Sequence, residues 1–372
     1  MLNKEEVQRY RRHISLAEVG INGQEKLKNA SVLVIGAGGL GCPCLQYLSA
    51  AGVGTIGIVD FDTVDLSNLQ RQILYTTADL GKNKAEAAAA RLTQSNPNTF
   101  NVYTSALTKE NALDIIATYD IIVDGSDNFA TRYLVNDACV ILNKPLVFGS
   151  IFKFDGQVAV LNHTTTEGKK GPTYRCLFPE PLAQGEMPSC SETGVLGVLP
   201  GIIGCIQANE VLKLILHIGE PLSGKLYTFD ALSMQSTVFS VEADPNNHAL
   251  THLGDYDFHC EPTIALADRI DVRTLKKLLD TNTNDLVLLD VREDYEYALC
   301  KLENALHIPM NSIPQHLNAI PKDKNVVVYC HHGMRSASIV HFLKSNGFDK
   351  VSNLEGGIHS WAQEIDESVA VY

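Results

Sequence analysis

The sequence predicts an α/β protein with two domains, and three observations support this prediction. Short apolar runs typical of buried strands alternate with helical patterns between Val32 and Val241. The alternation starts again after Pro262, and it is typical of a mostly parallel sheet with helices on both faces. The 372 residues also correspond to about 2.5 domains of ordinary size. We predict a large domain over residues 1–245, a linker over 246–262 and a small domain over 263–372.

The elements of the first domain follow from hydrophobic patterning and from residues that stop helices. Apolar runs, several of them β-branched, predict strands over residues 31–35, 55–59, 119–124, 146–148, 157–162 and 225–230. Helical patterns cover residues 41–51, 84–94 and 130–142. The second of these helices is expected to end before Asn96-Pro97, because proline cannot continue a helix.

The segment 244–262 contains proline, asparagine and histidine without a sustained period, which is typical of a linker. After it, strands over 286–290 and 325–330 and a helix over 336–345 predict a second, smaller α/β domain.

Composition argues against several classes of protein. Lys and Arg number 30 against 43 Asp and Glu, and the net charge of −13 disfavours nucleic-acid binding, which needs basic surface. Nine cysteines are too few for a disulfide scaffold and fit a reducing, cytoplasmic compartment. The first twelve residues have no apolar secretory core. The uncharged stretch 31–59 contains seven glycines and Pro43, so strand, turn, helix and strand explain it better than a membrane span.

A glycine-rich turn directly after the first strand predicts a nucleotide site. Gly36, Gly38, Gly39 and Gly41 belong to a G-x-G-x-x-G motif that opens a helix. Glycine lets backbone N–H groups approach a phosphate at the positive end of that helix. Asp60 ends the next strand, where a carboxylate can accept hydrogen bonds from ribose hydroxyls. On its own, this Rossmann-like pattern first indicates a dinucleotide oxidoreductase.

Charged residues further along the chain indicate ATP with magnesium instead. Arg71 lies in the polar segment 67–72, Lys84 opens a predicted helix, and Asp127 follows a predicted strand. Basic groups near a phosphate site and a carboxylate at the carboxyl edge of the sheet are what ATP and Mg²⁺ require. Hydride transfer requires neither.

These segments, together with Arg9-Tyr10-Arg11-Arg12 and Ser49-Ala50-Ala51-Gly52-Val53-Gly54, resemble the MoeB/ThiF family of adenylyltransferases, relatives of the ubiquitin-activating enzymes. The resemblance covers about residues 5–240. It implies that the C-terminal glycine of a ubiquitin-fold sulfur-carrier protein, ending in Gly-Gly, is activated with ATP as an acyl-adenylate. A carboxylate is a poor acyl donor because its leaving group would be oxide. After the carboxylate attacks the α-phosphate, the leaving group of the acyl-adenylate is AMP. Positioning and charge neutralisation supply most of the acceleration.

The resemblance also implies roles for individual residues. The nucleotide would be bound by Gly36, Gly38, Gly39, Gly41, Asp60, Asp62, Asn68, Arg71, Lys84, Asp127 and Asn128. Within this set Asp60 would hold the ribose, and Asn68, Arg71 and Lys84 would contact the triphosphate. Asp127 would take a transient magnesium ion. Arg12 would reach into the site of a neighbouring subunit, which implies a homodimer.

Cys190 lies just before the apolar segment 194–216. Some members of the resembled family form a covalent link to the activated carrier at this point, and the alternative is a small residue in a flexible crossover loop. Both interpretations stay open. Four other cysteines lie in apolar contexts and are predicted to be core: Cys42, Cys44, Cys139 and Cys205.

The structural zinc site usual in the family, two C-x-x-C pairs, is incomplete here. Thr173 and Asp257 stand where two cysteines are expected, which leaves Cys176 and Cys260, and His259 is badly spaced. Because tetrahedral structural zinc needs four Cys or His ligands, we predict no structural zinc.

The second domain places Cys330 at a strand end, in a short loop before a helix. Backbone N–H donors and the helix dipole lower the pKa of such a thiol and stabilise anionic sulfur. This loop, with segments 290–293 and 354–361, resembles the rhodanese sulfurtransferases over about residues 263–366. The usual Gly-His-Ile element is altered to Cys300-Lys301-Leu302.

The rhodanese resemblance implies that Cys330 carries a persulfide whose charge Arg335 and the loop amides hold. The alternative is an inert buried thiol. His331 and His332 are predicted to be exposed loop residues, either of which could assist proton transfer, and neither has the spacing of a metal ligand. The predicted catalytic residues of the chain are Arg12, Arg71, Asp127, Cys190, Cys330 and Arg335.

Together the two resemblances predict adenylation of a carrier followed by attack of the Cys330 persulfide, with Cys190 a candidate for the reductive release of a thiocarboxylate. The carrier would be of the molybdopterin-synthase small-subunit type or the thiamin-thiazole type, and the sulfur donor a cysteine desulfurase or thiosulfate. Two alternatives stay open. One is a nucleotide-binding oxidoreductase whose rhodanese domain senses sulfur. The other, a noncatalytic docking protein, is disfavoured because both sites keep their chemical residues.

Overall fold

Two β-sheets organise the chain, and each belongs to its own compact unit. The computed structural model describes residues 1–165, 168–180, 194–256, 268–281 and 285–371. Of these, the residues up to 256 form the first unit and the residues from 268 onward form the second.

The first unit contains a mixed, mostly parallel sheet, as predicted. Its strands are β1 (Ser31–Ile35), β2 (Thr55–Val59), β3 (Thr99–Tyr103), β4 (Ile121–Asp124), β5 (Leu146–Phe152), β6 (Asp155–Leu161), β7 (Lys225–Asp230) and β8 (Gln235–Ser240). They are arranged in the order β3-β2-β1-β4-β5-β6-β7-β8. The pairs from β3 through β5 are parallel, and β6, β7 and β8 are added antiparallel.

Helices cover both faces of this sheet because both faces of its central strands are apolar. In β1, Val32 and Val34 belong to one buried cluster and Leu33 and Ile35 to another. The helices are α1 (Lys4–Arg9), α2 (Arg11–Ile14), α3 (Gly20–Asn29), α4 (Gly41–Ala51), α5 (Lys84–Ser95), α6 (Ala112–Ala117), α7 (Phe129–Leu142), α8 (Tyr174–Leu177) and α9 (Val198–Leu216).

Helix α9 is the one helix among the described residues that is long and apolar enough to cross a membrane, judged by length and composition alone. More than half of its apolar window, 56%, is buried inside the protein. It packs against α4 and the strands β5 and β6, so its apolar composition is explained by its place in the core.

The two edge strands of this sheet, β3 and β8, were not predicted from the sequence. The side chains of β8 are exposed throughout, and those of β3 are exposed or half-buried. An edge strand that faces water has no need of the apolar run that marks a buried strand. Both segments therefore lack the pattern by which the central strands were predicted.

Part of the predicted linker packs onto the first unit. Leu253 and Tyr256 are buried in the same cluster as Leu33 and Tyr133. The Tyr256 hydroxyl donates to the buried carboxylate of Asp137 at 2.7 Å. In the described part of this segment, buried side chains therefore anchor the chain to the first unit.

The second unit contains an all-parallel, five-stranded sheet in the order β11-β10-β12-β13-β9. Its strands are β9 (Arg269–Ile270), β10 (Leu286–Asp290), β11 (Leu306–His307), β12 (Asn325–Tyr329) and β13 (Val351–Leu354). Its helices are α10 (Val272–Thr281), α11 (Asp294–Leu299), α12 (Met334–Ser345) and α13 (Gly357–Glu364). Two apolar clusters cover the two faces of the sheet, which confirms the small α/β domain.

Candidate functional site

A cavity of about 280 Å³ opens at the carboxyl ends of β1, β2 and β4 in the first unit. This edge of a parallel sheet is where ligands bind in open α/β folds. Nine predicted nucleotide residues line the cavity: Gly36, Gly38, Gly39, Asp60, Asp62, Arg71, Lys84, Asp127 and Asn128. The fold thus brings together residues that are up to 92 positions apart in the sequence.

The glycines of the turn after β1 have different roles. Gly36 has φ +89°, and a Cβ there would lie 2.8 Å from the carbonyl oxygen of Gly125. A Cβ on Gly38 would meet nothing closer than the side-chain nitrogen of Gln72 at 3.8 Å, so the backbone is open to a ligand. Gly41 does not belong to the cavity lining, and a Cβ there would collide with the Gly36 carbonyl. Gly41 therefore permits the tight turn and leaves contact with the ligand to the others.

Asp60 is held at the end of β2 by two backbone hydrogen bonds. Its Oδ2 accepts from Ala37 N at 2.7 Å and its Oδ1 from Asp62 N at 2.9 Å. Burial raises the pKa of the Asp60 carboxyl, and these two N–H donors partly offset that effect. The carboxylate faces the cavity with a fixed orientation, as a ribose-binding acceptor requires.

Two basic side chains lie on the same cavity. Lys84 Nζ pairs with Asp62 at 3.0 Å and is only 8% exposed, while Asp62 is 53% exposed. Arg71 is half-buried, and its Nη1 donates to the carbonyl oxygen of Ser67 at 3.1 Å. Both cations are therefore positioned before any ligand arrives.

At the end of β4, one carboxylate is buried and one is exposed. Asp124 Oδ1 accepts from the Ser126 N–H at 2.9 Å and from its hydroxyl at 2.7 Å, and burial raises the pKa of Asp124. Asp127 is exposed on the cavity wall. Asn128 caps α7, its Oδ1 accepting from Thr131 N at 2.8 Å. Asp127 is the carboxylate available to a metal ion, and Asn128 holds the helix start beside it.

Sequence reasoning missed Arg132 and Lys153, which also line the cavity. Arg132 is buried, donates to the Ser126 carbonyl at 3.1 Å, and lies over the Phe148 ring at 5.5 Å. Its position in the sequence could have identified it. Arg132 is a basic residue one turn into an apolar helix, and that helix follows a carboxylate at the end of a strand. Lys153 lies on a strand-connecting turn with φ +53°, and nothing in its local sequence marks it.

Three predicted residues among the described part of the first unit lie outside the cavity lining: Gly41, discussed above, Arg12 and Asn68. Arg12 is exposed on α2 and is not part of the cavity lining of its own chain. Asn68 is also outside the lining, and its Oδ1 accepts from Asp65 N at 3.2 Å to close a 3₁₀ turn. Cys190 lies outside the described residues.

The second unit places Cys330 as predicted, between β12 and α12. Its Sγ is buried and accepts hydrogen bonds from Gly333 N at 3.1 Å and from the Ser336 hydroxyl at 3.4 Å. Gly333 has φ +95°, which turns its N–H toward the sulfur. These two donors, in addition to the N-terminus of α12, are suited to an anionic sulfur. Ser336 was not predicted.

Arg335 is engaged by a residue that the sequence analysis did not single out. Its two terminal nitrogens lie 2.6 and 2.7 Å from the two carboxylate oxygens of Glu296. The side chains of both partners are at most 7% exposed. The guanidinium charge is thus compensated by Glu296, so Arg335 holds the loop in place while Gly333 and Ser336 donate to the sulfur.

Three histidines gather beside the Cys330 loop. His331 stacks on His332 with ring centroids 4.2 Å apart, and His359 of α13 lies 4.7 Å from His332. Burial, followed by repulsion from the other two rings, lowers the pKa of His331 to about 4. The prediction that both loop histidines are exposed is wrong for His331, which is half-buried because α13 packs over it.

Cys176, one half of the incomplete zinc motif, accepts several hydrogen bonds. Its Sγ lies 3.3 Å from Asp244 N, 3.3 Å from Asn247 Nδ2 and 3.4 Å from Thr173 N. Burial opposes ionisation of the thiol, but these donors outweigh burial and hold the pKa of Cys176 below its usual value. Asp257, His259 and Cys260 lie outside the described residues, so the absence of structural zinc stays a prediction.

The remaining cysteines are mostly core. Cys42, Cys44 and Cys139 are buried, as predicted, whereas Cys205 is half-buried. Cys300 lies in the altered rhodanese element, and its carbonyl accepts from Arg292 at 2.8 Å. Arg292 pairs in turn with Asp290 inside the core, so this element has a structural role.

Comparison with known proteins agrees with this geometry. A model described as the ThiF family matches residues 10–251, and a model described as a rhodanese-like domain matches residues 271–364. A Mycobacterium tuberculosis protein named "Probable adenylyltransferase/sulfurtransferase MoeZ" is 43% identical over 380 residues, covering 100% of this chain and 96% of the relative.

Two further relatives have related names. A "Sulfur carrier protein adenylyltransferase" of Thermus thermophilus is 53% identical over 264 residues, which is 69% of this chain and 97% of the relative. An "Adenylyltransferase and sulfurtransferase MOCS3" of Arabidopsis thaliana is 38% identical over 408 residues, covering 100% and 86%. The crystal structure of E. coli MccB with ATP shares the fold, with a TM-score of 0.56, 22% identity and coverage of 67% and 74%.

Proposed function

The chain belongs to the ThiF family and carries a rhodanese-like domain, and from this premise we propose that it activates and then sulfurates a carrier protein. It adenylates the C-terminal glycine of a ubiquitin-fold sulfur carrier and transfers sulfur to that glycine from a Cys330 persulfide. The observation that carries the proposal is the single cavity that joins the open backbone of Gly38 with Arg71, Lys84 and Asp127.

ThiF family membership implies the use of ATP, and the cavity fits it. The Gly36–Gly39 backbone at the start of α4 offers N–H donors to phosphate. Arg71 and Lys84 supply positive charge, and Asp60 supplies an acceptor for ribose. Asp127 offers the oxygen ligand that Mg²⁺ prefers. When bound, magnesium would neutralise phosphate charge, and the protein side chains would orient the α-phosphate toward the carrier.

The first step is the attack of a carrier carboxylate oxygen on the α-phosphorus of ATP. A new P–O bond forms, pyrophosphate leaves, and the carrier becomes an acyl-adenylate. No general base is needed, because a carboxylate is already ionised at neutral pH. Arg71 and Lys84 act by lowering the repulsion between two anions, which is electrostatic stabilisation by preorganised charge.

In the second step, the terminal sulfur of the Cys330 persulfide attacks the acyl carbon and AMP leaves. The product is an acyl disulfide, Cys330–S–S–C(=O)–carrier. A thiol then attacks Cys330 Sγ, releasing the carrier thiocarboxylate and leaving a disulfide that an external thiol reductant reduces. We assign the attacking thiol to Cys190 or to an external thiol. The persulfide itself is supplied by a cysteine desulfurase or by thiosulfate.

The enzyme is proposed to work as a homodimer. Arg12 is exposed and is not among the residues that line the cavity of its own chain, which supports a role in the site of a neighbouring subunit. The carrier is of the molybdopterin or the thiamin-thiazole type, and the reducing chemistry fits the cytoplasm.

The test is pyrophosphate exchange with ATP and candidate carriers that end in Gly-Gly, followed by mass spectrometry of the carrier after addition of thiosulfate. We expect exchange only with a carrier whose Gly-Gly end is intact, and a mass increase that corresponds to replacement of one carboxyl oxygen by sulfur. NADH oxidation without any pyrophosphate exchange would instead support the oxidoreductase alternative.

A further inference from the structure

A cluster of three imidazoles beside the sulfur-transfer loop has the composition of a metal site. The side chains of His331, His332 and His359 each place a ring nitrogen within 4.8 Å of the other two, and this is the one such group of possible ligands in the described ranges. Three nitrogens bound to one tetrahedral zinc ion, at about 2.0–2.1 Å each, lie about 3.3 Å apart. Small rotations of the side chains would close the difference.

The backbone fixes the two segments that carry these histidines. His359 N donates to the carbonyl of His331 at 3.1 Å, and Ile358 N donates to the carbonyl of Cys330 at 2.9 Å. Gly357 has φ +58°, and a Cβ there would collide with both carbonyls. The start of α13 is therefore pressed against the loop. A site with this fixed framework loses little conformational entropy on binding.

One nitrogen of the cluster lacks a partner. His359 Nδ1 is buried and has no hydrogen-bond partner among the residues that the structure describes. A buried polar atom without a partner is unfavourable, and a bound cation or its hydrogen-bonded shell would remove that cost. His332 is exposed, so an ion can reach the cluster from solvent.

We propose that His331, His332 and His359 bind one transition-metal ion of the zinc, nickel or cobalt class. Three neutral imidazoles without a carboxylate favour these ions over magnesium or calcium. Three protein ligands leave the fourth position of a tetrahedral ion open. Because His331 and His332 directly follow Cys330, bound metal ties the loop to α13 and restricts access to the sulfur. This last consequence rests on the proposed sulfurtransferase function, whereas metal binding does not.

The test is titration of the full chain, without an affinity tag and after removal of metal by chelator, with Co²⁺ and then Zn²⁺ in competition with a chromophoric chelator. Visible absorption reports Co²⁺ coordination, and thiolate charge-transfer bands would reveal cysteine ligands. The variants are His332→Gln, which alters an exposed side chain, and His359→Gln. The matched control is His341→Gln, an exposed histidine on α12 of the same unit.

We expect the wild-type chain and the His341→Gln variant to bind one more metal ion per chain than either cluster variant. If a cluster variant still binds that ion, we expect the wild-type chain and His341→Gln to bind it over about 100-fold more tightly. Loss of a ligand should exceed the 10–100-fold cost of losing an outer partner. Comparison within the set also removes any contribution from cysteine sites elsewhere. Equal stoichiometry with affinities within about threefold would overturn the proposal, whatever the activity of the enzyme.

Discussion

The buried pair of Glu296 and Arg335 should act mainly by stabilising the second unit, and not through direct contact with the sulfur. Its side chains are 3% and 7% exposed, and its two hydrogen bonds are 2.6 and 2.7 Å long. Glu296→Gln removes the negative charge and keeps the shape. It also keeps an oxygen that can accept from Glu293 N, as Glu296 does at 3.0 Å. The substitution therefore removes the charge compensation together with one of the two hydrogen bonds, because the amide nitrogen at the Oε1 position cannot accept from Arg335 Nη2.

Removal of one partner from a buried ion pair costs about 3–5 kcal/mol, because the other charge is left uncompensated. We expect Glu296→Gln to lower the free energy of unfolding of the second unit by this amount. The matched control is Glu355→Gln. Glu355 pairs with Arg269 at 3.3 Å in the same unit, but these side chains are 49% and 35% exposed. A pair of this kind contributes under about 1 kcal/mol.

The chain provides its own probe for this measurement. Its only tryptophan is Trp361, which is buried in the core of the second unit. Urea unfolding followed by tryptophan fluorescence therefore reports this unit alone. A double variant, Glu296→Leu with Arg335→Met, replaces both charges by apolar groups and should recover most of the lost stability. If Glu296→Gln costs no more than Glu355→Gln, the pair is not the main support of the loop.

Three further predictions concern activity and thiol chemistry. Lys84→Gln should lower carrier-dependent pyrophosphate exchange about 100-fold because it removes a preorganised charge. The control Lys82→Gln, which alters an exposed cation, should have little effect, and equal losses in the two variants would contradict the assignment of Lys84 to the nucleotide site. Cys330→Ala should keep pyrophosphate exchange and abolish thiocarboxylate formation, as detected by mass spectrometry, and sulfuration at the wild-type rate would exclude the persulfide role. Asn247→Leu removes a hydrogen bond that favours the Cys176 thiolate, so the pKa of Cys176 should rise and its alkylation at neutral pH should slow. The alkylation rate is measured by peptide mass spectrometry, and an unchanged rate would show that this hydrogen bond does not stabilise the thiolate.

The sequence allowed the central strands to be predicted well because both of their faces are buried. The predicted bounds of β1, β2, β7 and β10 match the structure to the residue. β1 and β2 are short runs that are buried after their polar first residue, they lie between polar or glycine-containing turns, and no helical period competes with them. The edge strands β3 and β8 face water on much of their surface, so their polar composition resembles that of loops. In the first sheet, the two strands that were not predicted are therefore the two at its edges.

The functional residues that could be predicted are those that lie close together in the sequence. The Gly36–Gly41 turn and the Cys330 loop are each contiguous, so their chemistry can be read from a few neighbouring residues. Glu296 and His359 reach the Cys330 loop from 34 positions before and 29 positions after the cysteine. No local pattern connects such distant residues. Only the parallel order of β10, β12 and β13, with α11 and α13 following the first and last of them, brings them together.

The thiol of Cys176 owes part of its chemistry to the residue at position 173. Thr173, which stands where the resemblance implies a cysteine, is the N-cap of α8, and both its N–H and its hydroxyl lie within 3.5 Å of Cys176 Sγ. The residue at this position thus provides hydrogen bonding to the Cys176 sulfur. Asp244 N and Asn247 Nδ2 add two more donors at 3.3 Å. Since hydrogen bonds to the charged form favour ionisation, these donors hold the pKa of Cys176 below its usual value, and Cys176 should be unusually reactive among the described cysteines of the first unit.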